Sequence, residues 1–181
     1  QALSAIGQLA TGLSGAMEWH FRSGYLILSL LLFRLVWGFV GGYWSRFSSF
    51  LYSPGALIGY LRGQARLDQL VGHTPLGALS VFALLAILVA QVATGLVADD
   101  EVSASGPLTR FVSSAIVAAA SAWHVVAGKW IILALVVLHV LAIVFYVAVR
   151  HQRLVKPMLS GDKLLTHDAA ASRDSAASRV L

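Results

Sequence analysis

Cysteine is absent from this chain of 181 residues. Its absence excludes disulfides, thiolate zinc sites, iron–sulfur clusters and the covalent attachment of a c-type haem. Any redox metal would therefore have to be held by histidine, of which the chain has six.

Charged residues are also scarce. Only 12% of the residues are charged and 58% are hydrophobic, whereas about a quarter of the residues in a soluble domain are charged. The composition therefore predicts a protein of the lipid bilayer. The formal charge of +5 could indicate nucleic-acid binding, but on so apolar a chain basic residues more simply indicate membrane topology. We expect no nucleic-acid partner.

Three apolar runs exceed the roughly 20 residues that cross a bilayer. They are residues 20–40, 76–98 and 124–149. Residues 1–16 are apolar but shorter and begin without Met, so we expect the second half of a helix that starts upstream. A cleaved signal peptide is the alternative, although the run has no basic start. The predicted fold is an all-α transmembrane four-helix bundle whose first helix is incomplete.

The predicted domain organisation is one transmembrane domain, residues 1–163, followed by a tail, residues 164–181. The tail has too few large apolar residues to pack and is predicted to be disordered and cytoplasmic. The Ala-rich residues 111–123 are predicted to form an interfacial helix. We detect no internal repeat.

Basic residues predict the orientation in the membrane. Residues 43–75 contain three Lys or Arg residues and the C-terminal segment from Arg150 contains six, whereas residues 99–123 contain only Arg110. Positive residues mark the cytoplasmic side. We therefore expect the C-terminus inside, and His20 and His124 near the outer face.

Two histidines at equal depth are the main functional clue. His20 begins the second helix and His124 begins the fourth, as two axial ligands of one haem would require. Each is followed four residues later by a glycine, Gly24 and Gly128, where a flat porphyrin edge could lie. The alternative is that these glycines serve only close helix packing.

A second cofactor position lies deeper in the same helix. His139 follows His124 by 15 residues, or about 22 Å of helical rise. Arg34 lies at a similar depth on the second helix and could pair with the propionates of an inner haem, or reach toward the inner headgroups. His73 precedes Pro75 at a helix start and is interpreted as a capping or interfacial residue.

These segments together resemble the bacterial cytochrome b561 and nickel–iron hydrogenase b-type cytochrome family. The matching segments are Glu18-Trp19-His20, Phe33-Arg34-Leu35-Val36-Trp37-Gly38, Gly72-His73-Thr74-Pro75, Gly106-Pro107-Leu108 and Leu154-Val155-Lys156-Pro157.

The resemblance implies two b-type haems, with His20, His124 and His139 as three of the four ligands. The fourth would lie upstream of Gln1, or His73 would replace it. The family spacing in the last helix would be 14 residues rather than 15, so we expect a one-residue bulge near Gly128, Lys129 and Trp130.

The resemblance also implies the function. The chain would be an electron-transfer subunit of a bacterial inner (cytoplasmic) membrane, in a homo- or hetero-oligomer. It would link a periplasmic redox partner, such as a hydrogenase, another dehydrogenase or a c-type cytochrome, to the respiratory quinone pool. One alternative is a stand-alone oxidoreductase that passes electrons from a small reductant such as superoxide to quinone. The other is a non-redox scaffold or transporter.

Overall fold

The computed structural model describes residues 2–64, 72–102 and 104–149. This part of the chain consists of helices joined by turns and loops, with one isolated β-bridge between Asp99 and Ser105. The predicted all-α class is confirmed. The predicted tail lies outside the described residues.

Within the described residues the chain forms six α-helices. They are α1 (Ala2–Leu13), α2 (Met17–Val40), α3 (Pro54–Leu61), α4 (Pro75–Gly95), α5 (Ser114–Ala122) and α6 (Lys129–Ala148). A π-helix, Trp123–Gly128, joins α5 to α6, and 3-10 helices lie at Tyr43–Ser45, Phe47–Ser49 and Thr109–Phe111.

The helix ends follow from local sequence. After α1 the chain turns at Gly15, whose φ of +70° is a left-handed conformation that glycine adopts without steric cost. Pro75 is the first residue of α4, and the Thr74 hydroxyl accepts a hydrogen bond from the Gly77 amide at 3.2 Å. The capping role that we considered for His73 is therefore wrong, because Thr74 fills it.

Three helical segments are long and apolar enough to cross a membrane: Met17–Val40, Pro75–Gly95 and Ser114–Ala148. Large apolar side chains on them are exposed, such as Leu32 and Leu138 at 54% and 63%. So much exposed apolar surface suits a lipid environment. The third segment runs unbroken from α5 into α6, so the prediction of a separate interfacial helix at residues 111–123 is wrong.

The described chain divides into two compact units. The first comprises Gln1–Leu32 and Ala83–Val137, and contains α1 with parts of α2, α4 and the last helical segment. Its buried apolar side chains come from these longer helical segments: Ile27, Leu31, Leu85, Ile87, Leu88, Ala120, Ile132 and Val136.

The second unit comprises Phe33–Phe82 and Leu138–Leu181. Its core is aromatic, because Phe50 is only 1% exposed and its ring lies 6.0 Å from that of Phe47 and 5.4 Å from that of Phe82, centroid to centroid. Aromatic pairs at such separations pack favourably.

Candidate functional site

The first unit brings His20 and His124 together. His20 lies in the first turn of α2 and His124 in the π-helix, and both side chains are half-buried. Their ring centroids are 6.1 Å apart and their planes are perpendicular, at 90°. Two residues separated by more than a hundred positions in sequence thus face one another.

Both imidazoles are anchored through the same nitrogen. His20 Nδ1 lies 3.2 Å from the carbonyl oxygen of Gln8, and His124 Nδ1 lies 2.9 Å from that of Gln91. A carbonyl oxygen only accepts hydrogen bonds, so Nδ1 must carry the proton in each ring. In a neutral imidazole this leaves the Nε2 lone pair available to a metal.

The distance between the two rings suits two ligands of one iron. A metal-bound imidazole nitrogen lies about 2 Å from the metal and about 1 Å from its own ring centre, so two imidazoles that hold one metal ion would have ring centres at most about 6 Å apart. Among the described residues no group of three or more His, Cys, Asp or Glu side chains could hold a metal ion. Haem needs only two protein ligands, because the porphyrin supplies four nitrogens.

A cavity of about 260 Å³ adjoins the two histidines. Apolar side chains such as Leu28, Leu88 and Ile132 form much of its wall. Lys129 and Asp99 also line it. The donor set and the largely apolar lining therefore fit a flat apolar cofactor with a charged edge.

The two glycines one turn after the histidines face glutamine side chains. A Cβ at Gly24 would lie 3.1 Å from Gln8 Nε2, and a Cβ at Gly128 would overlap Gln91 Oε1. The room that we predicted for a porphyrin edge is therefore taken by amide groups, and the role of Gly24 and Gly128 in cofactor binding stays a prediction.

In the Gln91 side-chain amide, the nitrogen is hydrogen-bonded and the oxygen is not. Its Nε2 donates to the His124 carbonyl at 2.9 Å, whereas its Oε1 and the neighbouring Trp123 Nε1 are buried with no hydrogen-bond partner among the described residues. An unpaired buried polar group costs about 1–3 kcal/mol. We therefore expect these side chains to rearrange when a cofactor occupies the cavity.

The predicted bulge in the last helical segment is present. The π-helix covers Trp123–Gly128, somewhat upstream of the predicted position but including Gly128. A π-helix takes in an extra residue per turn and is frequent at functional sites. It accounts for the 15-residue spacing between His124 and His139.

The second unit contains the other two predicted cofactor residues. His139 is half-buried, and its Nδ1 lies 3.1 Å from Ser80 Oγ. Arg34 donates through Nη1 to the Ser45 carbonyl at 3.2 Å, and its guanidinium lies 5.0 Å from the Phe47 ring centroid. Arg34 thus contacts the loop after α2, and its pairing with a haem propionate stays a prediction.

His73 lies in an aromatic setting in the same unit. Its ring is 4.5 Å from that of Phe50, and its carbonyl accepts a hydrogen bond from the Tyr52 hydroxyl at 2.8 Å. Burial lowers the pKa of His73, and the positive charge of Arg34 lowers it further. His73 is therefore neutral at pH 7.

The structure also reveals an internal repeat that the sequence analysis missed. Residues 8–13 are Gln-Leu-Ala-Thr-Gly-Leu and residues 91–96 are Gln-Val-Ala-Thr-Gly-Leu, identical at five of six positions. Each copy contains the glutamine whose carbonyl anchors a histidine. The repeat could have been found from this short identity, taken together with the His-x-x-x-Gly pattern that His20 and His124 share. We call these two segments the QxATGL repeat.

Comparison with known families finds that residues 1–161 match the family model described as prokaryotic cytochrome b561. No match was found among curated proteins or among solved structures. The matched range contains His20, His124 and His139, together with both copies of the QxATGL repeat.

Proposed function

Because the chain belongs to the prokaryotic cytochrome b561 family, and is thus a b-type haem electron-transfer protein of a bacterial membrane, we propose that His20 and His124 are the two axial ligands of one haem, the outer haem. The observation that carries this proposal is the facing pair of imidazoles, whose Nδ1 atoms are both bound to backbone carbonyls.

The orientation of the rings supports coordination through Nε2. The carbonyls of Gln8 and Gln91 fix the tautomer and hold each ring in place before any cofactor binds. Such preorganisation lowers the cost of ordering the ligands. Lys129 lines the same cavity and is the cation that we assign to a haem carboxylate there.

His139 is proposed as a ligand of a second, inner haem. Its Nδ1 lies 3.1 Å from Ser80 Oγ, and in the tautomer in which Nδ1 donates to this hydroxyl oxygen, Nε2 is left for iron. The family resemblance implies two haems, with Arg34 as a candidate partner of the inner propionates.

A b-type haem held by two histidines would supply one-electron transfer, and the two histidines would leave its iron no open position for oxygen chemistry. We propose that the chain passes electrons between a periplasmic redox protein and the quinone pool. Asp99 and Asp100 line the cavity beside His20 and His124. Their negative charge favours a partner with a basic surface over an anionic small reductant such as superoxide.

Haem content tests the ligand assignment. His20→Ala and His124→Ala should each remove one haem per chain, whereas His139→Ala should remove a different one. His73→Ala tests the alternative that His73 is the fourth ligand, and because His73 packs on Phe50 we expect unchanged haem content. The haem-to-protein ratio and the reduced-minus-oxidised spectrum report the outcome. Full haem content in His124→Ala would refute the assignment of the outer haem.

A further inference from the structure

The QxATGL repeat places the same groups around both ligand histidines. The residues at its first, fourth and fifth positions are glutamine, threonine and glycine, which share one helix face because they are spaced i, i+3 and i+4. In α1 they are Gln8, Thr11 and Gly12, and at the end of α4 they are Gln91, Thr94 and Gly95.

The threonine hydroxyls make equivalent contacts in the two copies. Thr11 Oγ1 lies 3.4 Å from His20 Nδ1, and Thr94 Oγ1 lies 3.5 Å from His124 Nδ1. Each hydroxyl donates to the preceding turn, where its nearest acceptor is the Gly7 carbonyl at 3.0 Å for Thr11 and the Ala90 carbonyl at 2.7 Å for Thr94. The anchoring carbonyls of Gln8 and Gln91 lie 3.1 Å from the hydroxyl oxygens. Because a hydroxyl donates and accepts at once, each Nδ1–H faces a near acceptor, the carbonyl, and a more distant one, the hydroxyl.

The glycines provide the room that this arrangement requires. A Cβ at Gly12 would lie 3.3 Å from His20 Cε1 and Nδ1, and a Cβ at Gly95 would lie 2.6 Å from His124 Cε1. Each imidazole thus lies flush against the backbone of the preceding apolar helix. The glutamine side chains then reach the helix of the histidine, since Gln91 Nε2 donates to the His124 carbonyl and Gln8 Oε1 accepts from Ser23 Oγ.

Carbonyl, hydroxyl and glycine thus recur in the same roles around two histidines that face one another. From this recurrence we infer that the QxATGL repeat is a duplicated histidine-positioning element, in which Thr11 and Thr94 are positioning residues that lower the reduction potential of the outer haem. The inference rests on the proposed function, because it takes His20 and His124 as the ligands.

The expected effect on the potential has a simple electrostatic cause. When Nδ1–H is shared with acceptors, the imidazole gains electron density and becomes a more basic ligand. A more basic ligand favours ferric over ferrous iron, and hydrogen bonding around a haem is one of the means by which a protein sets its potential. Removing the threonine hydroxyl from either copy of the repeat should therefore raise the reduction potential of the outer haem.

The test is a redox titration of the full chain in detergent, with the outer haem identified as the absorption band that His124→Ala removes. Thr11→Val and Thr94→Val should each raise the midpoint potential of that band, and Thr11→Ala and Thr94→Ala should shift it in the same direction. Thr→Ser at either position should restore the wild-type value, because it keeps the hydroxyl.

Ser29→Ala is the matched control. Ser29 lies on α2, and its hydroxyl donates to the Tyr25 carbonyl four residues earlier at 2.9 Å, so this variant removes a helix-bound hydroxyl elsewhere on a ligand-bearing helix. The potential should not change.

An unchanged or lowered potential in the Val and Ala variants would overturn the inference, and so would a shift from only one copy of the repeat. If the Val and Ala variants lose the outer haem, the inference stands only if the Ser variant at that position keeps it. Failure of the proposed function would look different, because His20→Ala and His124→Ala would then retain the outer haem.

Discussion

The glycine of each QxATGL copy offers a graded test of how closely the histidines approach the helix before them. We predict that Gly95→Ala weakens haem binding strongly and that Gly12→Ala weakens it less. The new methyl group at position 95 would lie 2.6 Å from His124 Cε1, compared with 3.3 Å from His20 Cε1 at position 12. Carbon atoms in contact are ordinarily about 3.5–4.0 Å apart.

The expected loss of haem affinity follows from how far the His124 ring must move. To restore a normal contact in Gly95→Ala, the His124 ring must retreat by about 1 Å, which breaks the 2.9 Å contact of Nδ1 with the Gln91 carbonyl. The lost hydrogen bond costs about 0.5–1.5 kcal/mol, and an off-rotamer imidazole costs about as much again. The sum of about 1–3 kcal/mol corresponds to about 5- to 150-fold weaker haem binding. In Gly12→Ala a shift of a few tenths of an ångström suffices.

Gly7→Ala is the matched control, because Gly7 lies on the same helix as Gly12 and a Cβ at Gly7 would have no atom of the described residues within 4 Å. None of these three glycines has a positive φ, so alanine brings no backbone strain at any of them, and a loss of haem in Gly95→Ala and Gly12→Ala but not in Gly7→Ala reports the contact with the histidine. The measurements are the haem-to-protein ratio and the rate of haem transfer to an apoprotein acceptor. Wild-type binding in Gly95→Ala, or a larger loss in Gly12→Ala than in Gly95→Ala, would refute the reasoning.

Two further predictions concern stability and orientation. The lowered pKa of His73 means that the unfolded chain takes up its proton first as the pH falls. Its contribution to stability is therefore full above about pH 6.5 and is lost as the pH falls through the folded pKa. Unfolding in detergent should therefore show that acid destabilises His73→Phe less than it destabilises the wild type. Equal acid sensitivity of the two proteins would contradict this prediction. Reporter fusions at Asp100 and Lys163 should lie on opposite sides of the membrane, because most Lys and Arg residues lie in the segments predicted to be cytoplasmic. Reporters on the same side would contradict the predicted orientation.

Hydrophobic run length predicted the three membrane-crossing segments, because the bilayer imposes that length directly. It could not predict where the last one begins, since α5 is rich in alanine and continues into the π-helix without a break in the backbone. The pairing of His20 with His124 could be predicted from depth, because helical rise converts sequence position into position along the membrane normal. The fourth ligand that we predicted upstream of Gln1 stays a prediction.

The contacts that fix the orientation of the histidines could not be predicted from periodicity or charge. The anchoring groups of His20 and His124 are backbone carbonyls, which every residue has, so the sequence of Gln8 or Gln91 does not reveal them. Thr11 and Thr94 look like ordinary helix residues whose hydroxyls bond to the preceding turn. Only their position against a histidine of another helix indicates a second role.

The two copies of the repeat lie at different sequence distances from the histidines that they contact, which explains why the pattern escapes a search for a fixed period. Gln8 precedes His20 by 12 residues, whereas Gln91 precedes His124 by 33. The intervening chain contains a short turn in the first case, and a loop with a 3-10 helix and α5 in the second. In both cases the repeat lies at the end of one apolar helix and the histidine belongs to a later apolar helical segment, so the length of the connection does not decide whether the two meet. A search for QxATGL at the end of one apolar run and His-x-x-x-Gly in a later one would therefore find both copies of the repeat, which a search for a fixed period does not find.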